Sequence, residues 1–123
     1  MSTRSALRRL SELHSGTEIW WDSSPLVFTR WRDETRSAWT DHPRLTAALD
    51  ELTFTSLDGV LRGCTTNPPL ALEAVEHDRR RWIQWAEERR NVLDGTQELA
   101  WTLYREVLRR GAEQVLPLWE QSD

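Results

Sequence analysis

Apolar residues recur at helical spacing along the last third of the chain: Leu99, Leu103, Val107, Leu108, Ala112, Val115, Leu116 and Trp119 share one face of a helix over residues 96 to 119. Gly111 interrupts that helix and is expected to weaken it by roughly 1 kcal/mol relative to alanine. The same spacing places Ala6, Leu7, Leu10 and Leu13 on a helix over 3 to 14, with Ser2 or Thr3 as its cap. Pro43 opens a helix through Leu45, Ala48, Leu49 and Leu52. Others follow from Pro69 through Leu70, Leu72, Ala74 and Val75, and over 78 to 90 with Trp82, Trp85 and Ala86 on one side. Residues 25 to 41 are poorly patterned and predict at most a short helix within an insertion.

Two segments break the helical period. Residues 59 to 67 read GVLRGCTTN and end at Pro68 and Pro69, which cannot donate to a strand ladder. The polar run Thr65, Thr66 and Asn67 is therefore predicted at the carboxyl end of a buried strand. Alternation sets Leu61, Gly63, Thr65 and Asn67 on one face and Val60, Arg62, Cys64 and Thr66 on the other. Residues 18 to 24, EIWWDSS, have the same form: apolar residues, then Asp22, then small turn residues before Pro25. Polar side chains at the carboxyl ends of parallel strands that lead into helices are where α/β barrels hold their chemistry.

These residues resemble a known family. IWWDSS followed by GCTTNPPLALEAV is similar to the first two strands of the transaldolase family, and HDRRRWIQWAEER and ELAWTLYREVLRRGAEQVLPLWE resemble, more weakly, the helices before its third strand. The resemblance spans residues 18 to 120. It implies a partial (β/α)₈ TIM barrel in one domain, 1 to 123: helix 1 to 17, strand 18 to 24, helical connection 25 to 58, strand 59 to 67, and helices 68 to 120. It also implies that Asp22 takes part in proton transfer, that Asn67 hydrogen-bonds substrate hydroxyls beside a Schiff base, and that Thr65, with Thr66, lines the substrate pocket.

The chain contains no lysine; its sixteen basic residues are all arginine. A Schiff-base aldol reaction needs a primary amine of lowered pKa, and a guanidinium stays protonated at any ordinary pH. A full barrel takes about 250 residues, against 123 here. The expected arrangement is a split enzyme: this chain supplies Asp22 and Asn67, and a companion chain supplies the remaining strands and the lysine. A carbonyl or sugar-phosphate-like small molecule is the expected substrate. Two other readings stand beside it: a non-catalytic regulatory or interaction protein derived from such a barrel, and a mainly helical structural module whose similarity is accidental.

A formal charge of −4 argues against a nucleic-acid partner. No run of eighteen apolar residues is present and residues 1 to 17 lack the apolar centre of a signal peptide, so a cytoplasmic protein away from membranes is expected. Cys64, the single cysteine, reads as a small packing residue, and the arginines at 79 to 81, 89 and 90, interleaved with Glu87 and Glu88, read as a solvated helix face. His14, His42 and His77 have no partners at ligand spacing, so neither a metal nor a cofactor is expected. The eight tryptophans read as core or interface anchors, exposed ones marking a partner surface.

Overall fold

The computed structural model describes residues 4 to 14, 16 to 93 and 95 to 122. It is an α/β fold in which helices outweigh strands: α1 Ala6–Leu13, β1 Ile19–Asp22, a 3₁₀ turn Pro25–Val27, α2 Phe28–Ala38, α3 Pro43–Asp50, β2 Leu61–Thr65, α4 Pro68–His77, α5 Arg79–Arg89 and α6 Thr96–Gln121. Among the described residues the sheet has two strands, β1 and β2, which run parallel. Both strands are shorter than the segments predicted for them, because Ser24 leaves β1 to cap the 3₁₀ turn and Asn67 leaves β2 to cap α4.

Local chemistry accounts for the helix starts. Ser5 Oγ accepts the Arg8 amide at 3.1 Å and begins α1; the predicted caps Ser2 and Thr3 lie outside the described residues. Pro43 and Pro68 occupy first-turn positions, where a missing N–H costs nothing. The stretch 25 to 41, predicted to hold at most a short helix, instead forms the 3₁₀ turn and the eleven-residue α2. Its aromatic residues supply what its pattern lacks: Phe28 is buried, and Trp31 packs against the same cluster.

Two apolar clusters hold these elements. One joins Val27, Ala71, Ala74, Trp82, Trp85 and Val107; the other joins Phe28, Phe54, Leu61 and Leu118. Trp21 on β1 packs against both, and Ile19, Leu61 and Cys64 add to the contact of the sheet with the second cluster. The α6 stripe differs from its prediction. Val107, Gly111 and Leu118 face inward, while Leu116 and Trp119 are exposed, Trp119 by 76%. Gly111 has a use the helix propensity scale misses: a Cβ there would lie 3.3 Å from Pro25 Cδ, so the glycine lets the 3₁₀ turn seat directly on α6. The apolar stripe of α1 is uncovered, with Leu7, Leu10 and Leu13 all exposed.

The middle of α6 carries a charge cluster with a pH signature. Glu106 accepts from Arg109 Nη2 at 2.7 Å and from Arg110 Nε at 3.0 Å. Hydrogen bonding to Arg109 first, and then to Arg110, holds its carboxyl down from the ordinary 4.5 to about 2. A depressed carboxylate stabilises the fold at pH above its unfolded value, and that contribution is lost as pH falls from about 4.5 toward 2. Thermal unfolding midpoints across this window should therefore drop more steeply for the native protein than for Glu106→Gln. Equal acid limbs would show that the cluster adds nothing.

Candidate active site

The polar residues predicted at the strand ends lie on neighbouring strands. Asp22 and Thr65 are register partners, and Thr65 Oγ1 donates to Asp22 Oδ1 at 2.6 Å. Both are exposed, on the sheet face turned away from the helices. Asp22 Oδ2 has no hydrogen-bond partner among the described residues. The carboxylate thus has one oxygen oriented by a hydroxyl and one open to solvent.

A β-bulge produces this arrangement. Ile19 pairs with Leu61 but Trp20 pairs with Gly63, so Arg62 is the extra residue. Its guanidinium turns back to donate to the carbonyls of Gly59 at 2.6 Å and Leu57 at 2.8 Å. Strict alternation had placed Leu61 with Gly63 and Thr65, and the bulge corrects this. Leu61 is buried in the second cluster and Cys64 packs against it, while Gly63 and Thr65 stay on the open face. Cys64 is a packing residue: burial pushes its thiol up from the ordinary value, which disfavours the thiolate a nucleophile would need.

Asn67 and Thr66 are not gathered to the Asp22–Thr65 pair by any hydrogen bond. Asn67 Oδ1 accepts the Leu70 amide at 3.0 Å and caps α4. Its Nδ2 has no partner among the described residues, so the side chain retains a donor. Thr66 Oγ1 is buried without a partner among the described residues, on the inward side that alternation assigns to it.

Sequence reasoning missed the role of Trp20. Its indole lies across Gly63, where a Cβ would come within 3.0 Å of the ring carbons, and its Nε1 donates to Glu18 Oε2 at 2.8 Å. Half-exposed at 52%, the ring forms an apolar floor on the face that carries Asp22 and Thr65. The signal was a glycine at the centre of β2, but pairing Gly63 with Trp20 requires the register. A second apolar surface lies between α4 and α6, a groove of about 350 Å³ that includes Leu72, Val75, Trp101 and Tyr104.

Among the described residues no group of three or more His, Cys, Asp or Glu is placed to hold a metal ion, and no helix is long and apolar enough to cross a membrane. Comparison of the chain with protein-family models, with curated proteins and with solved structures finds no match.

Proposed function

We propose that this chain is one subunit of a split, transaldolase-like enzyme of partial-barrel architecture, acting on a ketose or sugar-phosphate-like substrate through a Schiff base. The observation that carries the reading is the 2.6 Å contact between Asp22 and Thr65 at the carboxyl ends of two adjacent parallel strands. In the proposed cleavage step, Asp22 accepts the proton of a substrate hydroxyl as the carbon–carbon bond breaks, and the bonding electrons pass to an iminium on a companion chain's lysine. Thr65 keeps one carboxylate oxygen fixed, so the other is aimed. Asn67 Nδ2 donates to a substrate hydroxyl while its Oδ1 stays with α4. The Trp20 ring supports the apolar face of the sugar carbons.

The uncovered sheet supports a companion. Parallel strands occur almost only in sheets covered on both faces, whereas here Trp20, Asp22, Gly63 and Thr65 face outward and each strand has an unpaired edge. Three of the eight tryptophans, Trp20, Trp101 and Trp119, are exposed, which adds surface suited to a partner. A non-catalytic scaffold derived from such a barrel is the second reading, and the use of Asn67 as a helix cap favours it.

Borohydride trapping with a labelled ketose donor tests the assignment. Label is expected on the companion chain of the assembly and none on this chain, whether alone or assembled. Label on this chain, or an assembly that no ketose donor labels, would count against it.

A further inference from the structure

A second polar constellation lies where α4 meets α5, away from the strand ends. The sequence assigns Arg79, Arg80 and Arg81 together to a solvated face. In the fold, Arg81 is set apart from the other two: it lines a pocket of about 110 Å³ with His77, Asp78 and Arg110, and Leu26 and Trp82 close the apolar side. Arg81 has no hydrogen-bond or ion-pair partner among the described residues. Arg110 is held in place from two directions. Its Nε donates to Glu106 at 3.0 Å and its guanidinium lies 4.6 Å from the centre of the Trp82 ring, which leaves both terminal nitrogens without partners among the described residues.

Arg30, which is not part of the lining, ties α2 to the end of α4 by donating from Nη1 to the His77 carbonyl at 3.2 Å. His77 lines the pocket with other atoms, while its Nε2 is buried without a hydrogen-bond partner among the described residues and offers no surface to a ligand. The terminal nitrogens of Arg81 and Arg110 are left to meet ligand oxygens, and guanidinium groups pair strongly with oxyanions. Asp78 is the one carboxylate in the lining, and it opposes any anion bound there.

We propose that this pocket binds a phosphate group, with Arg81 and Arg110 as its charge partners. The two guanidinium groups belong to different helices, α5 and α6, so each can take a separate oxygen of a tetrahedral group with three free oxygens. The site is independent of the proposed reaction. His77 lies ten residues beyond Asn67 along α4, about 15 Å from the strand ends at the helical rise.

The test is titration of the full chain with inorganic phosphate at low ionic strength, followed by calorimetry. Saturable one-to-one binding is expected. Arg81→Gln should weaken it by about tenfold, the scale of a charge-assisted hydrogen bond. Asp78→Asn should tighten it, and Arg79→Gln, which is outside the pocket lining, should leave it unchanged. Competition by glycerol phosphate would identify a monoester as the ligand, while phosphate binding without such competition would identify the inorganic ion. Absence of saturation would overturn the proposal, as would equal weakening by Arg79→Gln and Arg81→Gln, which would mean diffuse attraction to a basic helix. Far-ultraviolet circular dichroism of each variant checks that the helices persist.

Discussion

Replacing Asp22 by asparagine is expected to lower kcat of the proposed assembly by about 10²- to 10⁴-fold, the usual contribution of a positioned acid–base group. At about 1.4 kcal/mol per factor of ten, that is roughly 3 to 5 kcal/mol of barrier. The substitution is close to isosteric, and asparagine retains an Oδ1 that can accept from Thr65 Oγ1 as Asp22 does at 2.6 Å. Asp22 is exposed and lies in neither apolar cluster, so the fold and the assembly should persist. KM should change little, because the lost function is proton transfer rather than binding. Thr65→Val should cost less, since it removes the orienting hydroxyl but leaves the carboxylate. Steady-state kinetics and the pH profile of the assembly provide the check. Full turnover after combined replacement of Asp22 and Asn67 by alanine would leave only the scaffold reading.

Phe28→Ala is expected to destabilise the chain by about 3 to 5 kcal/mol. Phe28 is 4% exposed and stands at the junction of three aromatic residues: its ring centre lies 5.2 Å from that of Trp21, 4.9 Å from Phe54 and 6.0 Å from Trp31. The contacts with Trp21 and Phe54 are edge-on, and such pairs add to the area buried. Domains are stable by only about 5 to 15 kcal/mol in total, so the loss is a large part of the whole. Its effect would extend to the candidate site, because Trp21 fastens β1 to the helices and the next residue is Asp22. Urea unfolding measures it directly, with Trp119→Ala as the control: at 76% exposure Trp119 should shift the midpoint very little. A Phe28→Ala midpoint no lower than that of the control would refute the assigned role of this cluster.

Asp22 and Thr65 were each legible as strand-end residues, because each stands near the end of a short run closed by proline, but their direct pairing appears only in the fold; the same local signals located most of the helices. Asn67 was read through the family resemblance as a substrate ligand; the fold uses its Oδ1 as a cap. The Leu61 assignment failed for a different reason. Period-two alternation assumes an unbroken ladder, and the bulge at Arg62 reverses the faces on one side of it. Arg81 was assigned with Arg79 and Arg80 because the three are adjacent in sequence, whereas its environment depends on Arg110, which belongs to another helix.

Short-range physics governs what could be read from the residues in order. A proline without an N–H, a serine or asparagine that caps a turn, and the spacing of apolar side chains act within about four residues, so the places of most helices, the two strand segments and the missing amine needed no fold to identify. The strand register, the exposure of Trp119 and the convergence of Arg81 on Arg110 arise from contacts between distant segments, such as Thr65 with Asp22, 43 positions apart. Those contacts are chosen by competition among several apolar faces for a limited buried volume, and no local pattern records which face wins.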